Sequence, residues 1–329
     1  MTDPGSGPVP APPAAAGGKS RLVRRGPRRA DDFFHYLTLS AGLVVLAILA
    51  LIAWSTTREA LPAFRAEGFA FLTSSRWAPN EEAFGALSFI YGTFFVSLIA
   101  LVFAVPASVG IALFITELAP GPVRRATTFV MDLLAAVPSV VFGLWGVSVL
   151  AVKAPGVYES IGSPLAAIPG LGHAFEEPYN GKSFLSAGFI LALMITPIIT
   201  SITRDVFDTT PRGQKEAALA LGATRWEMIR GAVFPHSRAG VIGAVLLGLG
   251  RAMGETIAAA LVIGSGSQIS TRLFASGDAL AARIANEFGE ATGTWRSALI
   301  GLGVVLFAMT ILVNLAATAV VSRSARRAG

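Results

Sequence analysis

Six apolar runs, each close to the roughly 20 residues needed to cross a bilayer, dominate this 329-residue chain. They cover approximately residues 35–57, 90–116, 127–152, 184–203, 239–263 and 297–321. Hydrocarbon offers no water to the backbone, so runs of this length fold as helices that satisfy their own hydrogen bonds. The pattern predicts an all-α integral membrane protein with six transmembrane helices. Composition agrees, since only 14% of the residues are charged where soluble domains carry about 25%. Pro106 and Pro138 fall inside the second and third runs and predict kinks. Glycine and alanine crowd the fifth run, which predicts close helix-on-helix packing rather than contact with lipid.

Lysine and arginine set the orientation. Residues 1–32 hold Pro, Gly and Ala followed by Lys19, Arg21, Arg24, Arg25, Arg28 and Arg29, with too little apolar surface to bury, so they are expected to be a disordered basic cytoplasmic tail. Nucleic-acid binding is the rival reading of such a cluster and of the net charge of +6, but a basic run directly before an apolar span reads as a membrane anchor. The uncharged stretch from Phe33 to Thr57 exceeds the roughly 7–15 apolar residues of a secretory signal, so it is expected to stay as the first helix. With the N-terminus inside, the cytoplasmic segments carry 17 Lys and Arg and the opposite face carries 8. This asymmetry predicts both termini, and the polar segment 204–238, in the cytoplasm. The membrane domain is expected over 33–322, followed by a short cytoplasmic tail at 323–329.

Several function classes fall away. Absence of cysteine removes disulfides and thiolate metal sites, and three histidines without close spacing leave no expected metal ligands. A membrane-embedded enzyme needs paired carboxylates, a His–Asp constellation or metal ligands at one depth, whereas the spans supply only Asp132, Arg251 and Glu255. Asp132, near Arg125 at the inner end of its span, reads as interfacial. The opposite-face segments 58–89 and 153–183 are too short for domains, and the next holds an expected short helix from Asp278 to Asn286.

The polar island Glu216 to Pro235, EAALALGATRWEMIRGAVFP, carries its own punctuation. Thr210 and Pro211 predict an N-cap and first helical position, and Gly222 is placed to take the left-handed conformation that closes a helix. Thr224 and Glu227 predict a capping box on a second helix, which Pro235 is expected to end at Phe234. The expected product is helix, glycine turn, helix at one membrane face, where a partner can dock; an amphipathic surface loop is the plainer alternative.

Glu216, Ala217, Ala218, Gly222 and Pro235 resemble the Glu-Ala-Ala signature of ABC importer permeases, with Ala232 and Phe234 standing where isoleucine and leucine are usual. The likeness implies a type I ABC importer permease fold in which this loop sits in a cleft of the ATPase subunit. The phrases FGALSFIYGT, VPSVVFGLWG, RDVFDTTP, GLGRAMGET and IANEFGEATG extend the resemblance over about residues 33–322 to the phosphate-specific importers. After Gly-Glu-Thr, Ile257-Ala258-Ala259 stands where a PstA-type chain would have Ala-Pro-Leu, so the likeness is to PstC-type permeases. What the resemblance implies is a bacterial inner-membrane subunit moving inorganic phosphate inward as a heterodimer with a PstA-type permease. It further implies a dimer of PstB-type ATPases and an external phosphate-binding protein. No P-loop pattern occurs in the chain, so it is expected to be no enzyme and to bind no cofactor itself, with ATP and Mg on the separate ATPase.

Arg251 and Glu255, four apart in the fifth run, are expected to share a helix face. Ionisable groups at membrane depth face a bundle interior or a water-filled cavity. Two readings stay open: Arg251 offers its guanidinium to a passing anion with Glu255 limiting how tightly it is held, or the two form a structural ion pair. The resemblance favours the first. Thr256, Ser139 and Thr196 are weaker candidates, because such hydroxyls commonly bond their own helix. A permease for another anion, or a secondary transporter working without ATP, is the remaining alternative; only the second leaves the capped double helix without a purpose.

Overall fold

A computed structural model describes residues 28–170 and 172–326. The chain divides into two units within its first helix, between Ile52 and Ala53. Helix α1 spans Arg28–Glu67. Its portion up to Ile52 is a unit by itself, and side chains 31–52 are exposed. Residues 28–32, expected in the disordered tail, are therefore helical, while residues 1–27 and 327–329 of the expected tails lie outside the described residues.

The second unit begins with the end of α1, a single turn α2 (Ala70–Thr73) and a two-stranded ladder, β1 (Trp77–Ala78) and β2 (Ala83–Phe84), in register Trp77 to Phe84. Helices follow: α3 (Leu87–Leu113), α4 (Gly121–Ala136), α5 (Ser139–Trp145), α6 (Ala151–Ala166), α7 (Phe184–Asp208), α8 (Arg212–Ala220) and α9 (Arg225–Met228). Then come α10 (Phe234–Gly254), α11 (Ile257–Val262), α12 (Leu280–Glu287) and α13 (Gly293–Arg326). Wide π turns at Phe114–Leu118, Gly146–Leu150 and Ile229–Val233 extend α3, join α5 to α6 and join α9 to α10.

Among the described residues six helical stretches are long and apolar enough to span a bilayer: Asp31–Glu67, Leu87–Leu118, Ser139–Ala166, Phe184–Asp208, Arg225–Gly254 and Gly293–Ala319. Four overlay the expected runs, the fifth begins earlier and stops at Gly254 rather than near 263, and the third differs most. Pro138 does not kink a helix there; it separates α4 from α5, because Val137 and Pro138 take extended ψ of 127° and 139°. A residue before proline is pushed out of the helical region. The span therefore starts at Ser139 and runs to Ala166, through residues that the sequence placed in a loop. Its apolar character persists past Lys153, and Pro155 is in the first turns of α6.

The bundle is built on α3 and α7. Gly188 of α7 lies so close to Ile99 that a β-carbon would sit 2.4 Å from its side chain. Ser108 donates to the Thr196 carbonyl at 3.0 Å, a second tie between them. Gly240 and Gly248 of α10 abut Val206 and Ile199 of α7 in the same manner, as the small residues of the fifth run predict. Val96, Ile99, Ile190, Leu191, Ile195 and Ile199 fill the centre.

At the end away from 204–238, Phe71, Phe84, Phe89, Leu280, Leu299 and Leu302 form a second core around a buried ionic cluster. Arg283 Nη2 lies 2.6 Å from Asp278 Oδ2, Arg283 also pairs with Glu287, and its guanidinium stands over the Phe89 ring at 4.9 Å. Glu287 Oε2 accepts the indole N–H groups of Trp77 and Trp295 at 2.9 and 3.0 Å. The cluster thus joins the β1–β2 hairpin, α3, α12 and the start of α13. Asp278, outside the membrane spans, is pushed up to about 6 by burial, against the pull of Arg283 and of the Ala279 N–H, with Glu287 adding to the rise. A raised carboxylate favours the fold while protonated, so its contribution is present below the ordinary Asp range and is lost as pH climbs through about 6. Asp278→Asn removes that dependence. Its stability relative to the parent, read as the thermal midpoint in detergent, should rise between about pH 4 and pH 7 by on the order of a few kcal/mol; a pH-independent difference would contradict the burial account.

Candidate functional site

Two regions carry the candidate chemistry, the 204–238 segment and the C-terminal end of α10 with the break that follows it. In the first, α7 continues to Asp208 and α8 starts one residue later than expected. Pro211, with ψ of 129°, occupies the N-cap position without a side-chain cap, and Thr210 turns its hydroxyl to Ser237 at 3.4 Å instead of capping. Proline suits that place because its missing N–H is not needed by the helix.

The end of α8 is as the sequence predicts. Gly222 has φ of +86°, the Ala223 N–H donates to the Ala218 carbonyl at 3.2 Å, and the Gly222 N–H to the Leu219 carbonyl at 3.0 Å. These paired bonds around a left-handed glycine are a Schellman closure. Thr224 then caps α9: its hydroxyl accepts the Glu227 N–H at 3.3 Å, while Glu227 Oε2 accepts the Thr224 N–H at 2.8 Å. Pro235 does not end the second helix. The π turn at Ile229–Val233, closed by the Phe234 N–H on the Ile229 carbonyl, shifts the hydrogen-bond register just ahead of the proline, and the helix runs on into α10. That wide turn relieves the clash a proline ring otherwise makes with the preceding turn.

One face of this double helix is buried and the other is bare. Met228, Ile229 and Val233 pack with Ala112 and Phe207, with Ala218 against them. Lys215 Nζ reaches the nearly buried Glu117 at 2.5 Å, and Arg124 forms a fork on Asp208 at 2.9 and 3.1 Å. Glu216, Ala217, Leu219 and Trp226 are exposed, and Leu221 is 89% exposed. Neither ion pair was foreseen, because each joins residues more than eighty positions apart.

In the second region the helix breaks where the sequence expected continuity. Glu255 closes α10 with an extended ψ of 127°, so the helix does not continue through it, and no ion pair joins it to Arg251. Glu255 Oε1 instead accepts the Ala258 N–H at 3.3 Å, capping the first turn of α11, and Thr256 donates to the Gly254 carbonyl at 3.4 Å. Non-helical backbone at membrane depth is tolerated where it is enclosed by protein or lines a wet cavity. Arg251, exposed and without a hydrogen bond or ion pair among the described residues, faces an open cavity of about 800 Å³ shared with Ile198, Leu246, Leu247, Thr310, Asn314 and Thr318. Thr196 bonds the Ala192 carbonyl of its own helix at 2.7 Å. Asp132 lines a groove with Arg124 and Arg125 but forms no ion pair among the described residues. No metal-holding cluster of His, Cys, Asp or Glu exists among the described residues.

A family model described as "Binding-protein-dependent transport system inner membrane component" matches residues 104–328. The chain is 44% identical to the "Phosphate transport system permease protein PstC" of Mesorhizobium japonicum, over 96% of this chain and 97% of that one. The protein of the same name from Xylella fastidiosa is 44% identical over 92% and 93%, and the "PstC 2" protein of Mycobacterium tuberculosis is 41% identical over 90% and 93%. In fold the chain resembles a bacterial ABC transporter involved in the import of the acidic polysaccharide alginate, with a TM-score of 0.59 at 17% identity over 90% of this chain and 99% of that one. It also resembles the MetNI methionine ABC transporter, with a TM-score of 0.54 at 14% identity over 76% and 99%. The architecture is that of a type I ABC importer permease.

The Gly222 turn generates a clean test, since a β-carbon there would meet nothing within 4 Å and any penalty is purely conformational. Gly222→Ala should cost about 1–2 kcal/mol and Gly222→Val more, while Gly222→Asn should recover part of the loss. Protease resistance of the segment in the purified protein reads this out, and equal behaviour of Ala and Asn would show that the turn is not held left-handed.

Proposed function

Since the chain belongs to the family of binding-protein-dependent transport system inner membrane components, we propose that it is the phosphate-moving permease subunit of an ATP-driven importer. It is a multi-pass inner-membrane protein and a transport subunit rather than an enzyme. Near-full-length identity with phosphate permeases supports the substrate. The mechanism that we propose has both termini and the 204–238 segment in the cytoplasm, where the double helix docks on a PstB-type ATPase holding ATP and Mg. A PstA-type permease completes the pair of membrane subunits, and a phosphate-binding protein delivers the anion outside.

One observation carries the coupling role: a helix pair capped at Gly222 and Thr224, clamped to the bundle by Lys215–Glu117, that leaves Leu219, Leu221 and Trp226 uncovered. An apolar set on a rigid mount is what a docking site needs. Glu216 and Ala217 share that open side, with Ala218 turned inward and Pro235 at the entry to α10. In the anion path, Arg251 supplies a permanent cation with a planar fork suited to two phosphate oxygens, and Glu255 with Thr256 forms the break next to it. Passage needs a site that binds and also lets go, so a nearby carboxylate that lowers affinity is useful there.

Uptake of labelled phosphate into vesicles holding the complete complex tests both roles. Arg251→Gln should abolish uptake while the subunits still assemble, and Arg251→Lys should keep only part of it. Leu221→Asp should instead detach the ATPase, seen as its loss from the purified complex. Normal uptake by Arg251→Gln would refute the anion path, and full ATPase retention by Leu221→Asp would refute the docking face. A reporter active only in the cytoplasm, fused after Arg327, should be active; activity of an external-only reporter there would overturn the orientation.

A further inference from the structure

Across the cavity from Arg251, helix α13 presents Thr310, Asn314 and Thr318, four residues apart and so on one face. The two hydroxyls are satisfied within their own helix: Thr310 donates to the Leu306 carbonyl and Thr318 to the Asn314 carbonyl, each at 2.8 Å. The Asn314 carboxamide is different. It is exposed to the cavity, it makes no side-chain hydrogen bond among the described residues, and its Oδ1 would lie 3.9 Å from a β-carbon at Gly250, the residue before Arg251. Unlike the two threonines it makes no bond back to its own helix among the described residues, and in hydrocarbon an unpaired amide costs several kcal/mol. Something polar therefore meets it. Arg251, a cation without an ion pair among the described residues, lines the same cavity and favours a partner that is anionic or carries an anion's oxygens, and a cavity of about 800 Å³ is ample for a small oxyanion.

We propose that Asn314 is a second contact for the transported anion, opposite Arg251. This inference rests on the anion-path reading given above. Its amide complements the guanidinium, because Nδ2 donates to a charged phosphate oxygen while Oδ1 accepts from a protonated one. Hydrogen phosphate offers both kinds of oxygen. An arginine alone can only donate, so the pair reads the protonated face of the anion as well as its charge.

The competing role is structural, a polar contact to a second permease, and charge separates the two. In a phosphate path Asn314→Asp keeps the shape but adds a carboxylate that repels the anion and neutralises Arg251. In a structural contact Asp is a better mimic than Leu. Uptake of labelled phosphate is measured in vesicles carrying the complete complex at matched permease levels, with the content of the second permease checked after purification. Expected are near-parental uptake for Asn314→Gln, a loss of about threefold for Asn314→Leu and about tenfold or more for Asn314→Asp, with assembly intact in all three. Asn314→Asp transporting as well as or better than Asn314→Leu would overturn the proposal, as would loss of the second permease from either variant. Arg251→Gln run in parallel keeps the two readings apart. If that variant is inactive while all Asn314 variants transport normally, only the Asn314 contact fails; if it transports normally, the anion path itself fails.

Discussion

Everything in this structure answers to the need of a backbone in hydrocarbon to satisfy its own N–H and C=O groups. The usual answer is an unbroken helix, and this chain gives it in α3, α7 and α13. Departures are more telling, because each must be compensated on the spot. Ahead of Pro235 a π turn resets the register so that the helix continues. At Glu255 the helix stops, and the side chain of the stopping residue accepts an N–H of the next helix. A proline or a break that would be a defect in a lone helix becomes a fixed joint once the freed groups are met.

Close packing of small residues sets where the bundle is solid and where it is open. Gly240 and Gly248 of α10 are filled by Val206 and Ile199, so that side of the helix is locked onto α7. Gly243 and Gly250 lie on the cavity side; among the described residues nothing would come within 4 Å of a β-carbon at the first, and only Asn314 at the second. Glycines on one helix thus do two opposite things, admitting a neighbour on one face and leaving a void on the other. Arg251 sits on the open face. An unpaired guanidinium at membrane depth is tolerated only beside water, a partner or a ligand, and the void supplies room for each.

How much of this was legible in the sequence depended on how local the cause is. Gly222 and the Thr224–Glu227 box were readable because capping acts over three or four residues. The shift of the Thr210 cap to Pro211 was missed because the hydroxyl was recruited by Ser237, a neighbour only in space. Lys215–Glu117 and the Asp278–Arg283–Glu287 cluster were invisible for the same reason in part: their members are ordinary loop charges until folding buries them. The break at Glu255 was missed by assuming that an apolar run means a continuous helix. Gly254, next to Glu255, held the warning, as a weak helix former at a charged residue. Asn314 was readable and overlooked. It is the lone carboxamide in the sixth apolar run, with Thr310 and Thr318 at helical spacing on either side.

The two candidate regions are parts of one mechanical element. From Arg225 the backbone is helical through α9, the π turn and α10 to Gly254, so the exposed Trp226 and the cation at Arg251 are near the two ends of a single rod. A helix transmits displacement along its axis with little loss, whereas a loop would absorb it. In the proposed importer, movement of the ATPase against the 216–228 surface therefore arrives at the cavity as movement of Arg251. Two joints set what that motion can do. Contact of Gly240 and Gly248 with α7 makes the rod slide or tilt together with α7 rather than past it. The break at Glu255 ends the rod just beyond Arg251, so α11, held against the start of α7 by the Ser183 N–H on the Val262 carbonyl, need not follow. Displacement is thereby confined to the part of the helix that faces the cavity, and that confinement is how hydrolysis on one side of the membrane would change the grip on an anion within it.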